Sequence, residues 1–157
     1  MAVDKKDIVI LNALQEDAKQ SSRDLSKKLG MPATTIHERI RKLEKEGVIK
    51  GYHVELDYEK VGFPTTAIVL VRRMPKVTPE RKIFYRKIGD SASKLPNVQE
   101  VHVVTGEYDM VLKLRGKNEK EVGAYVVETI WNLPEVERTL TLINLYTAKD
   151  TCKIELK

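Results

Sequence analysis

Apolar residues recur at helical spacing three times in the first 45 positions of the chain. Ile8, Leu11 and Leu14 predict a helix over Asp4–Asp17. Leu25 and Leu29, at i and i+4, predict a second and shorter one. Ser21 followed by Asp24 opens it as a capping box. Gly30 stops it, because glycine takes the left-handed conformation without a Cβ penalty. Ile36, Ile40 and Leu43 predict a third helix over Ala33–Lys45, ended by Gly47. Val48-Ile49 then opens a strand that continues through Tyr52, Val54 and Leu56. Two short helices with a Gly-containing turn between them read as a helix-turn-helix unit, and the strand after them as its wing. At 100° per residue, the face of the third helix opposite its apolar stripe holds Thr34, Glu38, Arg41 and Lys45, flanked by His37 and Lys42.

Asp57–Pro64 carries Gly62 and Pro64 and reads as a linker (57–64) between one unit at 1–56 and another at 65–157. The second half shows a pseudo-repeat. Leu95-Pro96-Asn97-Val98 and Leu133-Pro134-Glu135-Val136 each start a strand, and each follows an amphipathic helix. The first of these helices begins at Thr78-Pro79-Glu80, an N-cap with proline at the first helical position, and buries Phe84, Ile88 and Leu95. The second begins at Asn118 with Glu121 three residues later, and Val122, Val126, Thr129, Ile130 and Leu133 form its stripe. Strands at Thr65–Arg73 and Met110–Arg115 precede the two helices. The order is β-α-β-β-α-β, the ferredoxin-like arrangement, so the whole chain is of the α+β class.

A sheet of this kind carries its helices on one face, and its other face should be polar unless something covers it. Yet Ala67, Val69 and Val71 alternate with Ile68 and Leu70, so both faces of the first strand are apolar. On the last strand Leu140 and Leu142 oppose Thr139, Thr141 and Ile143. A two-fold homodimer that buries the open face is the simplest solution. Cover by the linker or the C-terminal segment is the alternative.

Charge now changes the picture. The chain carries a net charge of +5 with 32% charged residues, and nine basic residues stand against four acidic ones between Lys19 and Lys50. Phosphate contact requires such a surplus, so double-stranded DNA is the expected partner of the first unit. Its third helix would read the major groove through Thr34, Thr35, His37, Glu38 and Arg41. Arg39, Lys42 and Lys45 would meet phosphates, and Ser22 and Arg23 on the preceding helix complete the contact set. A second basic cluster sets Arg72, Arg73, Lys76, Arg81, Lys82, Arg86, Lys87 and Lys94 against Glu80 and Asp90. It reads as a solvated helix face or as a surface for DNA that wraps beyond one site. No apolar run approaches the roughly 20 residues that span a bilayer, and the N-terminus has no cleavable signal pattern. No membrane partner is expected, and the expected location is cytoplasmic. Cys152 is the single cysteine. His37, His53 and His102 have no metal-ligand spacing, and no phosphate-binding loop, dinucleotide fingerprint or nucleophile elbow is present. No cofactor, metal or catalytic residue is therefore expected.

One loop stands out: Thr105-Gly106-Glu107-Tyr108-Asp109. Gly106 lets the backbone approach a ligand closely and offer N–H groups. Asp109 sets a carboxylate beside them. Such a pairing suits the two ends of a free α-amino acid. A tight hairpin turn that needs Gly and Asp for geometry alone is the other reading.

These motifs together resemble the leucine-responsive regulatory protein/AsnC (Lrp/AsnC) family, the feast/famine regulators. The resemblance covers essentially the whole chain. It is carried by Asp7 with Ile10 and Leu14, Leu25 with Leu29-Gly30, His37-Glu38-Arg39-Ile40 with Leu43-Glu44, and Gly47-Val48-Ile49 with Gly51-Tyr52. In the second half it is carried by Val98, Thr105-Gly106-Glu107-Tyr108-Asp109 and Thr141. It implies a sequence-specific transcriptional regulator that dimerises through its second domain and assembles further to octamers or related forms. It also implies an amino-acid effector held between dimers at Gly106, Tyr108 and Asp109, with Thr139 and Thr141 on the neighbouring strand. Two positions depart from the pattern. Pro32 stands where a serine usually caps the third helix, and Lys19 stands where arginine is common. Two rival readings remain: an architectural DNA binder with no effector, and an enzyme on a ferredoxin-like dimer.

Overall fold

The computed structural model describes residues 3–74 and 81–157, with the backbone alone for residues 81–85. Asp4 caps α1 (Lys5–Glu16) in a reciprocal box: its carboxylate accepts from the Asp7 N–H at 2.9 Å, and Asp7 accepts from the Asp4 N–H at 3.1 Å. Ser21 and Asp24 form the same box at α2 (Ser22–Leu29), and Gly30 ends it at φ 66°. The third helix, α3 (Ala33–Lys45), starts after Pro32 with no side-chain cap. Ile10, Leu25 and Ile36 are wholly buried where the three helices meet, with Ala13 and Leu14 around them. Leu29, Met31, Ile40 and Ile49 pack over this core.

The strand expected at 48–56 does not form. The N–H groups of Val48 and Ile49 both turn back to the Leu43 carbonyl, at 2.9 and 3.1 Å, and close the end of α3. Alternation supplies a face but no ladder partner, so Val54 and Leu56 stand in solvent, 79% and 47% exposed. The Tyr52 hydroxyl donates to Glu44 at 2.9 Å. Partial burial and that carboxylate push the phenol up to about 12.

The last residues, expected in the second unit, lie along α1 instead. Asn12 accepts from the Leu156 N–H and donates to the Leu156 carbonyl, at 3.2 and 3.0 Å. Gln15 does the same with Ile154, at 2.8 and 2.9 Å. One compact unit is therefore the chain up to Glu55 together with Lys149–Lys157, and the other is Leu56–Ala148. An amide one turn from another on a helix reads alternate residues of an extended backbone without regard to side chain, which hydropathy patterning cannot reveal.

The second unit runs β1 (Thr65–Arg73), α4 (Arg81–Ala92), β2 (Val98–Val103), β3 (Met110–Gly116), α5 (Glu119–Tyr125) and β4 (Val136–Ile143). Every pairing is antiparallel and the order across the sheet is β2-β3-β1-β4. This is the expected β-α-β-β-α-β chain. Asn118 caps α5 by accepting from the Glu121 N–H at 2.8 Å. The last turn of that helical segment, Val126–Ile130, is π-helical rather than α-helical. Ala67, Val69, Val71, Met110, Leu112 and Leu114 form the sheet side of the core, and Ile88, Ala92, Val122, Val126 and Ile130 form the helix side. Gly116 has no room for a side chain, because a Cβ there would stand 2.7 Å from Val122 Cγ2.

The opposite face of the sheet is apolar at its centre. Ile68 pairs with Leu142 and Leu70 with Leu140, and Val111 lies beside Leu70 across β1 and β3. Leu140 and Leu142 remain 43% and 47% exposed. Charged pairs frame the patch. Glu100 meets His102 at 3.2 Å and Lys113 at 3.1 Å, and these bonds hold its carboxyl below the usual range. Residues 57–63, expected as a linker, form a turn tied down beside the sheet. The Tyr58 ring lies 3.7 Å from the Arg115 guanidinium and its hydroxyl accepts from Gln99 at 2.8 Å.

The Thr78-Pro79-Glu80 cap, the Phe84 side chain, Lys76 and the side chains of Arg81 and Lys82 lie outside the described residues. Of the second basic cluster, Arg86, Lys87 and Lys94 are exposed. Among the described residues no helix is long and apolar enough to cross a membrane.

Candidate functional site

Two surfaces carry the candidate residues, one on each unit. On the first unit, α3 buries Ile36 and Leu43 and turns Thr34, His37, Glu38, Arg41, Lys42 and Lys45 to solvent. Thr35 is half-buried at the edge of that face. Ser22 is half-buried at the start of α2, and Arg23 beside it is exposed. Among the described residues Arg23, Arg41, Lys42 and Lys45 form no ion pair, so their charge is open to an anionic partner.

Arg39 is the exception, because it is already paired within the unit. Its guanidinium lies 2.7 Å from both Asp4 and Asp7. Asp7 is only 4% exposed. The Asp7 N–H and, after it, Arg39 hold the Asp4 carboxyl below its ordinary range. Arg39 thus fastens α3 to the start of α1. Sequence spacing carried the signal: Arg39 is three residues from Ile36 and four from Leu43, which places it on the flank of the packing stripe. Arg39→Ala is therefore expected to lower the melting temperature of the first unit, since it leaves a buried carboxylate without its cation. Arg41→Ala should change stability by less than about 0.5 kcal/mol. Circular-dichroism melts of the two variants check both statements.

On the second unit, the loop at 105–109 is closed by two backbone bonds. Val104 N–H donates to the Asp109 carbonyl at 3.0 Å, and Asp109 N–H donates to the Val71 carbonyl at 2.9 Å. Gly106 lies at φ 130°, a conformation that side chains disfavour. The backbone N–H groups of Thr105, Gly106, Glu107 and Tyr108 find no partner among the described residues. Thr105, Gly106 and Glu107 are exposed, so these N–H groups are open to an anion where they converge. The Asp109 carboxylate accepts from the Arg73 N–H at 2.9 Å and lies 3.8 Å from the Arg73 guanidinium. Arg73 is 8% exposed, at a bulge in β1. Glu107 accepts from Arg138 of β4 at 2.9 Å, and the Arg138 guanidinium lies 5.8 Å from the Tyr108 ring. Thr139 follows Arg138 and pairs with Val71, and Thr141 pairs with Val69.

The fold therefore brings the loop and the Thr139 end of β4 to one corner of the sheet. Arg73 and Arg138 belong to this corner and were absent from the expected effector set, because each is a cation on a strand distant in sequence from the loop. Among the described residues no cluster of His, Cys, Asp and Glu could hold a metal ion.

The comparisons with known proteins cover both parts of the chain. Residues 3–50 match the model for winged helix-turn-helix DNA-binding domains, and residues 66–154 match that for the Lrp/AsnC ligand binding domain. The HTH-type transcriptional regulator FL11 of Pyrococcus horikoshii is 39% identical over 155 residues, covering 99% of this chain and 95% of the relative. The leucine-responsive regulatory protein of Haemophilus influenzae is 37% identical over 159 residues, covering 99% and 92%. A transcriptional regulator of Neisseria meningitidis, solved in complex with L-Met, superposes with a TM-score of 0.84 at 25% identity over 98% of this chain and 96% of its own. The fold of AsnC from E. coli is shared at a TM-score of 0.84 and 23% identity, over 99% of this chain and 100% of that one. A helix-turn-helix with an open cationic face, joined in one chain to a ligand-binding domain of this kind, places the protein in the Lrp/AsnC family of DNA-binding transcriptional regulators.

Proposed function

We propose that this regulator senses a free α-amino acid at the corner formed by residues 105–109 and β4, and that occupancy of this site alters its assembly and its hold on DNA. The observation that carries the reading is the row of unpartnered N–H groups from Thr105 to Tyr108 beside the Asp109 carboxylate. The ligand carboxylate meets the N–H row and its ammonium meets Asp109. Thr139 and Thr141 add hydroxyls from β4. The relative solved with L-Met supports an amino acid as the ligand class.

At the other end of the chain, Thr34, Thr35, His37, Glu38 and Arg41 read base edges in the major groove. Lys42 and Lys45, with Ser22 and Arg23, hold the backbone, while Arg39 orients the helix without touching DNA. Two chains bury Leu140 and Leu142 against each other, and dimers join into a larger closed particle such as an octamer. The protein acts in the cytoplasm, without a cofactor and without catalysis.

Calorimetry with the twenty amino acids tests the effector reading. Charge-assisted bonds contribute roughly 1.5–3 kcal/mol each. Asp109→Ala should therefore lower the affinity of the best ligand by about 10- to 100-fold. Asp109→Asn, which keeps an acceptor for the Arg73 N–H, should lose nearly as much. Equal affinities in wild type and both variants would take Asp109 out of the site.

A further inference from the structure

Lys149–Lys157 returns to the first unit after the chain has built the second. The chain therefore crosses between the units twice, once after Glu55 and once after Ala148. Asn12 and Gln15, three apart on one face of α1, hold the returning segment. Each carboxamide accepts from the N–H and donates to the carbonyl of a single residue, Leu156 for Asn12 and Ile154 for Gln15. A neighbouring strand exchanges bonds with an extended chain in the same way. Lys153 adds an ion pair with Glu16 at 3.3 Å. The hold is almost wholly polar. Ile154 is 67% exposed, and a groove of about 410 Å³ lined by Val9, Leu29 and Ile154 stays open beside the segment. Hydrogen bonds within reach of water exchange readily for bonds to water, so the segment can leave while the helical core beneath it stays folded.

We propose that Lys149–Lys157 is a releasable strap that fastens the DNA-binding unit at a second point and so narrows the spacing of DNA half-sites the protein accepts. The half-site consequence rests on the dimer proposed above. With the strap released, the chain at 55–56 is the single connection of the DNA-binding unit to the rest. With it docked there are two. The Asn144 N–H is tied to the Thr66 carbonyl of β1 at 2.9 Å, and Lys153 is tied to Glu16. Only residues 145–152 run between them, a stretch that reaches about 30 Å at most. A second short lead removes many of the orientations that one lead allows. The recognition helices of a two-fold dimer meet half-sites one helical turn, or a multiple of it, apart. A restrained pair engages both half-sites only at the matching spacing, whereas a loosely held pair reaches others. Because α1 reads the backbone of the strap, a change of strap side chain leaves the clamp intact. Loss of the two α1 amides opens it.

Cys152 is the single cysteine and is exposed, so it places one nitroxide on the strap of the full-length protein. That nitroxide should broaden the amide signals of α1 around Asn12 and Gln15. The Asn12→Ala/Gln15→Ala variant, in which alanine favours the helix, should lose the broadening and keep its fold. Isotope-labelled chains without a nitroxide, mixed with nitroxide-bearing chains, should keep sharp α1 signals. A half-site selected by the protein from random duplex DNA is then placed in pairs with centres about 10 to 21 base pairs apart, one to two helical turns. Wild type should bind its best spacing about 100-fold tighter than one displaced by half a turn, where the second contact is lost. The double variant, and a chain ending at Ala148, should bring that ratio within about tenfold, because a looser tether recovers part of the second contact. Lys153→Ala, which leaves both amides in place, should keep most of it. Sedimentation of the same samples separates the two possible failures. A monomeric wild type fails the dimer, and the spacing claim with it, whereas a dimer indifferent to spacing fails the strap alone. Sharp α1 signals in nitroxide-bearing wild type would overturn the proposal, as would equal spacing ratios in wild type and both released forms. Broadening in the chains without a nitroxide would overturn it too, since the strap would then tie down a second copy.

Discussion

Leu25→Ala is expected to unfold the first unit and abolish DNA binding while the second unit keeps its sheet. Leu25 is 0% exposed, and the core around it consists of Ile10, Ala13, Leu14 and Ile36. Truncating a buried leucine to alanine costs about 2–5 kcal/mol, the removed methyls plus the cavity left behind. A unit of this size holds only about 3–5 kcal/mol in its core. One truncation therefore consumes most of the margin. Since the sheet core of Val69, Leu112 and Ile130 is separate, it should not respond. Two-dimensional methyl spectra of the full chain, run beside a DNA mobility shift, check this: resonances of the first unit collapse and those of the second persist. Retained DNA binding would show that the three helices are held by something other than this core.

Leu142→Asp should convert the assembled protein into monomers. Leu142 lies on the open sheet face, paired with Ile68, and is 47% exposed in the single chain. Because nearly half of it is already in water, the monomer tolerates a carboxylate there. In a two-fold interface the same substitution appears twice, and each copy buries an unmatched charge. Desolvating a charge without a partner costs several kcal/mol, enough to shift a micromolar dimer entirely to monomer. Sedimentation of wild type and variant at micromolar concentration reads the result directly. Unchanged sedimentation would mean that a different surface joins the chains.

Most of the fold was legible because helical and strand periodicities are local. The capping box at Ser21, the stop at Gly30 and the bounds of Ala33–Lys45 follow from side chains within four residues of each other. The β-α-β-β-α-β order followed from two helical stripes and the turns beside them. What escaped depends on partners distant in sequence. Tyr52, Val54 and Leu56 alternate as a strand should, but the chain offers them no ladder. Asn12 and Gln15 look like ordinary polar positions on α1 until the C-terminal backbone lies across them. Arg39 reads as surface charge along α3 because its partners, Asp4 and Asp7, stand at the start of α1. The loop at 105–109 was legible as chemistry, since Gly and Asp at that spacing suit a zwitterion. Its surroundings were not, because Arg73 and Arg138 reach it from two other strands.

Sensing and DNA binding meet in one titration: the affinity of the full-length protein for labelled operator DNA, measured by fluorescence anisotropy at fixed salt with each of the twenty amino acids in turn. At least one amino acid should change that affinity by about fivefold or more, the usual size of an allosteric coupling, and DNA should change that ligand's affinity by the same factor. DNA affinities that stay identical with all twenty, at concentrations saturating in calorimetry, would contradict an effector-controlled regulator and leave an architectural DNA binder in its place.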